Sequence, residues 1–418
     1  MFRLVPPCLR QQSWPAPTSQ ALDIDESILI QEEQAPYTPL RCFYPMRLGE
    51  ILNHRYQVTA KLGCGSRSTV WLARDLFRWK WQVAEYVAIK ISVAGEVANG
   101  DIDTDELHFL QHTTKASKQH PGYEFVRTIR GHFQIRSAAG QHLCLTLEPL
   151  RENLAMLKYH FTDNLISVRL LKVIAAMVLN GLDYLHSECG IIHTDLSDNN
   201  IIFSFAEKTR RSILEHHSRT EYSDPLPVKR LADRTVYQPH TNFGALIPNI
   251  GGAVITDFDA SAYGEGNWDR NHDIQPVRLK APEVLLRAGF SYSADIWNFG
   301  ALLCGMVEGK PLFDDASQQD RGADIYEALS FARMIAILGP PPQALLDRGE
   351  RVADFYDEEK RFKFPDLVPK DCSFETFFTR VEGEDKEKLV AFARRMLKWL
   401  PEERETAKEL VDDEWTQL

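Results

Sequence analysis

Between residues 55 and 148 the chain runs in short stretches that mix apolar and polar positions. "RYQVTAKLG" (55–63), "STVWLARD" (68–75) and "EYVAIKISV" (85–93) carry β-branched and aromatic residues, with a glycine turn between the first two. This predicts strands. A polar helix is predicted over "DTDELHFLQHTT" (103–114), then strands at "GHFQIR" (131–136) and "HLCLTLE" (142–148). After "PLRENL" the spacing lengthens to that of helices, over 166–189, about 293–308, about 324–338 and about 385–399. A strand-rich half followed by a helical half predicts an α+β fold of two lobes with a cleft between them. Residues 46–150 form the small antiparallel-sheet lobe with one main helix, and 151–418 the large helical lobe.

Two segments break the pattern. Residues 1–45 are rich in Pro and Gln and lack periodicity, which predicts a flexible arm. The first 22 residues hold Arg3 and Arg10 and no acid, as a mitochondrial presequence does, but Pro6 and Pro7 interrupt any amphipathic helix there. Residues 206–253 form an insertion of little periodicity, and a structureless loop of that length is functional or disordered.

Composition adds exclusions. The chain has 418 residues, 44% hydrophobic and 26% charged, which is ordinary for a globular protein. A net charge of −11 argues against direct nucleic-acid binding and is compatible with a basic partner. Seven cysteines without a CxxC pair suggest a reducing compartment and no structural zinc. The most apolar stretch, "LLKVIAAMVLNGLDYL" (170–185), is interrupted by Lys172, Asn180 and Asp183, so it reads as a buried helix and no membrane span is expected.

Candidate chemistry lies in a series of spaced motifs. "LGCGSRSTVW" (62–71) places Gly63 and Gly65 in a hairpin whose backbone can approach phosphates, though such a hairpin is also simply a turn. "VAIK" (87–90) puts Lys90 on a strand among apolar neighbours, where Glu106 on the next helix can hold it towards the α- and β-phosphates, or the lysine points to water from an edge strand. "HTDLSDNN" (193–200) spaces Asp195 and Asn200 as a phosphotransferase loop spaces its base and its metal ligand. Asp195 accepts a hydroxyl proton. Asn200 gives Mg²⁺ a neutral oxygen. "AVITDFDAS" (253–261) delivers Asp257 to a strand end, as metal ligand or as part of a turn. Further on, Glu283 of "KAPEVLL" pairs with Arg404, and Asp295 of "SADIWNFGALL" accepts from the backbone of the catalytic loop, both as structural supports. Each motif alone is ambiguous; their order and spacing are not.

Together these residues resemble the eukaryotic protein kinases over roughly 50–418, and more closely the serine/arginine-protein kinases, especially fungal relatives. The resemblance rests on "FYPMRLGEILNHRYQVTAKLGCGSRSTVWLARD", with Ser68 for a third glycine, on "IIHTD", on "DIQPVRLKAPEVLLRAGFSYSADIWNFG", and on an insertion before the metal-binding Asp. It implies a serine/threonine protein kinase that uses ATP and Mg²⁺ to phosphorylate Ser in Arg/Ser-rich proteins such as splicing factors. It also implies a monomer, cytoplasmic and nuclear. By position Leu147 is the gatekeeper, the backbones of Glu148 and Leu150 bond adenine, Val70 and Ala88 pack on its ring, and Leu62, Gly63 and Gly65 cover the nucleotide. Pro149 has no N–H to offer.

Three departures bear on activity. Thr194 stands where Arg normally needs a phosphorylated activation segment, which predicts activity without that modification. Ser197 replaces the catalytic-loop Lys and keeps only a hydroxyl donor at the transferring phosphate. Asp259 replaces a Gly that lets the backbone bend, and adds a carboxylate near the metal. Asp314, Asp315, Asp320, Asp324 and Glu327 offer an acidic groove for Arg-rich peptides or a solvated loop, while Leu329 and Ser330 stand where that helix is expected to begin with acid.

Overall fold

The computed structural model describes residues 6–417 except 18, 19, 37, 96–103, 162, 265–273 and 315–322. The chain divides into two compact units. Unit 1 comprises Met1–Thr114, Thr128–Glu152 and Phe203–Gly251, and unit 2 the rest.

Unit 1 is built on a six-stranded antiparallel sheet of order β1-β2-β3-β4-β6-β5. The strands are β1 (Ile51–Leu52), β2 (Tyr56–Cys64), β3 (Ser68–Asp75), β4 (Tyr86–Ser92), β5 (Ile129–Ser137) and β6 (Gly140–Leu147). The period of two sorts their side chains. Trp71, Ala73, Val87, Ile89 and Ile91 enter a core with Val58 and Cys144. The alternate positions of β3 and β4, Val70, Leu72, Ala88 and Lys90, point the other way. Helix α1 (Asp105–Lys115) buries Leu107, Phe109, Leu110 and Thr113, whose 107/110, 110/113 and 109/113 spacings of three to four put them on one helix face.

The arm and the insertion differ from the sequence expectation. The insertion is no structureless loop: it folds as α4 (Glu207–Ser223) and a hairpin of β9 (Val228–Arg230) with β10 (Thr235–Tyr237). Leu214 of α4 and Phe243 pack with Ala60, Leu72, Tyr86 and Phe205 on the sheet's second face. Periodicity missed α4 because its buried positions include His217, Ser218 and Glu221. These are polar, and two of them meet polar partners: Ser218 Oγ lies 2.8 Å from Thr59 Oγ1, and Glu221 accepts from His240 at 3.1 Å.

The arm is tied to the same unit. Ile24 N donates to Val228 O and Val228 N to Leu22 O, so this stretch adds to β9 in parallel. Lys61, buried in β2, donates to Glu32 of the arm at 2.5 Å and to Tyr237 O of the insertion at 2.8 Å. Lys229 donates to Glu33 at 2.8 Å, and Arg234 to Leu40 O and Phe43 O. A buried lysine needs such partners.

Unit 2 is mainly helical. Its elements include α2 (Leu154–Leu157), α3 (Val168–Asp183), α5 (Pro282–Leu285), α6 (Ser293–Glu308) and α7 (Ala323–Leu338), with a later helix at Gly383–Met396. Short strands β7 (Ile191–Ile192) and β12 (Ala262–Tyr263) pair with each other. Strands β8 (Ile201–Phe205) and β11 (Ile250–Ile255) pair and bracket the insertion. Helix α6 is apolar nearly all round and central, with Trp297 stacked on Phe313 and twelve of its sixteen residues buried.

Candidate active site

In unit 1 the glycine hairpin is the turn between β2 and β3. Gly63 faces Val70 across the ladder and Gly65 N donates to Ser68 O at 2.8 Å. A Cβ at Gly63 meets nothing within 4 Å, so its use is to leave backbone open on that side, not to relieve crowding. Leu62 precedes this turn and packs with the second-face cluster. Val70 pairs with Lys90, Leu72 with Ala88, and Ala88 with Leu147, which sets the predicted nucleotide-facing side chains on neighbouring strands. Lys90 Nζ donates to Glu106 Oε1 at 2.8 Å with both side chains largely buried. Strand β6 ends at Leu147, and Glu148, Pro149 and Leu150 follow outside any helix or strand; the Glu148 carboxylate accepts from Arg130 at 3.0 Å and also from Arg210.

In unit 2 the stretch "HTDLSDNN" is held by a dense set of bonds. Buried Asp295 accepts from His193 N at 2.7 Å and Thr194 N at 2.9 Å, and bonds His186 Nε2 at 2.9 Å. His193 lies within hydrogen-bond distance of Thr256 O through Nε2 at 3.0 Å, and Asp195 N donates to its Nδ1 at 3.3 Å. Asn200 Nδ2 donates to Asp195 O at 2.8 Å and to Asp195 Oδ2 at 3.0 Å, which leaves its carbonyl oxygen for another partner. Thr256 N and Oγ1 both donate to Asn200 O, so the strand carrying Asp257 is fixed to the loop carrying Asn200. Asp195's carboxyl is raised above its ordinary range by burial and by the Asp257 carboxylate, against the opposing influence of His193 and Asn200.

This donor set fits a hard divalent cation. A neutral amide oxygen at Asn200 and a carboxylate at Asp257 are the oxygen ligands that Mg²⁺ takes. Positive charge there also relieves the repulsion that lifts Asp195.

The departures now have places. Thr194, at φ 69°, donates to Ala260 O at 2.6 Å, and Ser261 Oγ donates to His193 O at 3.3 Å. The Thr hydroxyl therefore bonds the segment after Asp257 directly, where a longer cation needs a phosphate. Within 257–259 the left-handed backbone falls at Asp257, φ 70°, and not at exposed Asp259, so the loss of glycine at 259 strains nothing. Ser197 is buried, with its carbonyl accepting from Asn200 N at 3.0 Å. Arg404 meets Glu283 with two bonds of 2.7 Å, both groups buried, and adds Lys398 O and Ser293 O.

The acidic residues expected to form a groove or a solvated loop are placed in part. Asp314 is buried, and Glu327 is engaged by Arg351 at 2.8 Å and Lys280 at 3.4 Å. Asp315, Asp320 and the side chain of Asp324 lie outside the described residues. Leu329 and Ser330 are buried, so core packing explains their lack of charge. Sequence reasoning missed His193, Gln275 and Thr256. Gln275 donates to Ala294 O at 2.9 Å and accepts from Ala281 N at 2.9 Å, clamping the segment before α5 to α6. Only the HxD spacing pointed to His193.

Comparisons with known proteins give the family. The protein kinase domain family model matches residues 56–214 and 245–416. The unmatched 215–244 lies within the insertion. A serine/threonine protein kinase of Aspergillus fumigatus is 34% identical over 403 residues, covering 95% of this chain and 93% of its own. The serine/threonine-protein kinase SRPK of Physarum polycephalum is 26% identical, covering 88% of each chain. Protein kinase dsk1 of Schizosaccharomyces pombe is 24% identical, covering 93% of this chain and 86% of its own. A crystallised kinase domain superposes with TM-score 0.65 at 18% identity, covering 90% of this chain and 99% of its own, which supports the fold. With the kinase model spanning most of the chain, this protein belongs to the protein kinase family, as a serine/threonine kinase of the SRPK type.

Proposed function

We propose that this kinase transfers the γ-phosphate of ATP to serine in Arg/Ser-rich proteins, without needing activation-segment phosphorylation. The observation that carries the reading is the bonding of Asn200 to Asp195 beside Asp257, which sets a base and two oxygen ligands on one loop and strand end. Asp195 takes the serine proton and turns the hydroxyl towards in-line attack. Its raised pKa suits a base that must be deprotonated yet able to hold a proton. Asn200 and Asp257 hold Mg²⁺, which neutralises phosphate charge when bound. Lys90, kept by Glu106, positions the α- and β-phosphates. Leu147, Glu148 and Leu150 receive adenine, with Val70 and Ala88 on its face. Preference for Arg/Ser repeats and residence in cytoplasm and nucleus rest on the likeness to SRPK-type kinases.

The Thr194–Ala260 bond supports independence from a phosphorylation switch. The test is Mg-ATP transfer to an Arg/Ser repeat peptide and to a generic basic protein, with Asp195→Ala as control and one sample pretreated with phosphatase. Asp195-dependent transfer that favours the repeat and survives phosphatase is the expected result. Transfer to the generic protein alone removes the repeat specificity. No Asp195-dependent transfer at all reduces the protein to a binding module, the reading that Ser197 favours. Activity lost to phosphatase overturns the role of Thr194.

A further inference from the structure

Unit 2 contains a cavity of about 230 Å³ that no role above uses. Its floor is apolar, with Leu302 of α6 and Met306 among the lining residues. Its charged residues are three cations, Lys158, Arg278 and Lys310, against one acid, Asp198. Lys158 lies over the Tyr159 ring at 5.3 Å and Lys310 over the Phe377 ring at 5.4 Å. Aromatic faces hold a cation without neutralising it. The Arg278–Asp198 contact is long, 3.5 Å, with both side chains partly exposed, so it ties up little of the arginine's capacity.

We propose that this cavity is a substrate subsite for an anionic side chain, a carboxylate or a phosphate, near the serine to be phosphorylated. Position supports this. Asp198 follows Asp195 by three residues, and extended backbone spans at most about 3.6 Å per residue, so the two Cα atoms are within about 11 Å. Ala155 N donates to Asp198 O at 3.0 Å, which fixes α2 and Lys158 to the catalytic loop. The pocket therefore takes a residue within about three positions of the acceptor. Charge selects the class. Arg278 offers a planar fork to a carboxylate or phosphate, and the two lysines add point charges. An arginine side chain placed there faces three like charges and one carboxylate.

The proposal rests on the protein kinase reading of Asp195 and adds to it a second requirement on the peptide. It is independent of the Arg/Ser preference, since an anionic residue can neighbour arginines.

The test uses the full chain and fluorescein-labelled nonapeptides with one central acceptor serine. Glu, phosphoserine, Ala or Arg is placed in turn at each of three positions on either side. Transfer (kcat/KM) and binding by anisotropy are both read. The expected result is at least one position where an anion raises kcat/KM and affinity about tenfold over Ala, with Arg below Ala. In Lys158→Ala/Lys310→Ala the anion-to-Ala ratio falls towards one, and in Lys310→Glu the order shifts towards Arg. If Glu and phosphoserine act alike, the site reads charge; if phosphoserine alone acts, it is a phosphate site. No anion preference at any position, or a preference that both variants retain, overturns the proposal. Should transfer fail for every peptide, the kinase reading fails, and anisotropy still decides the pocket.

Discussion

Acid should loosen unit 1 through one histidine. His217 sits on α4, 3% exposed, its ring centroid 4.0 Å from that of His240 and 4.7 Å from that of Phe243. Its Nε2 is buried without a hydrogen-bond partner. Burial, then the neighbouring His240 and His216, push its pKa down from 6.5 to about 3. Glu221, one helical turn on along α4, bonds His240 instead. Folded, the imidazole stays neutral; unfolded, it gains a proton below its ordinary pKa. Its contribution is therefore intact above that value and is lost progressively as pH falls towards the folded value. At pH 5 the unfolded chain is favoured by about 2 kcal/mol relative to pH 8, from ~1.4 kcal/mol per pH unit. Phe at 217 keeps a ring against its neighbours and removes the titration. Urea unfolding of wild type and His217→Phe, followed by tryptophan fluorescence at pH 8 and pH 5, reads the difference directly. Wild type should lose about 2 kcal/mol more than the variant on acidification. Parallel losses in the two proteins would refute the reasoning.

Two further outcomes follow from unit 2. Arg404→Ala strands the buried Glu283 carboxylate and should cost about 3–5 kcal/mol, seen as a lower melting temperature; Glu283→Gln combined with Arg404→Met should recover part of it, and an unchanged Arg404→Ala melt removes the pair from the scaffold. Ser197→Lys supplies a preorganised cation at the transferring phosphate and should raise kcat by up to about 10²–10³, with little change in peptide KM. A flat kcat would show that the serine site loses nothing for want of charge.

Much of this molecule was legible in sequence because its elements obey the simple periods. The sheet of unit 1 follows the alternation of Val87, Ile89 and Ile91, and α6 follows a largely apolar run interrupted by Asp295 and Asn298. The site was legible through spacing: Lys90, Asp195, Asn200 and Asp257 are each ambiguous alone, and their order along the chain is what singled them out. What resisted was whatever is buried while polar. α4 hides His217, Ser218 and Glu221, and the arm is fixed by Lys61, Glu32 and Lys229. Hydropathy assigns such residues to solvent, and only the complementary partner elsewhere in the chain reveals otherwise. Asp314 shows the converse: the sequence read it as part of an acidic groove or of a solvated loop, and it is buried.

The interleaving of unit 1 bears on how the chain is made. Its sheet ends at Leu147, yet the segment supplying Tyr237 O to Lys61 and Leu214 to the second face belongs to 203–251. At ~5–20 residues per second, a ribosome needs roughly 5–20 s to synthesise the intervening hundred or so residues. Throughout that delay the nascent sheet carries one uncovered apolar face and a lysine with half its partners. The arm, synthesised first and already bearing Glu32, is the part of the final structure present to shield that lysine while the rest is still being translated.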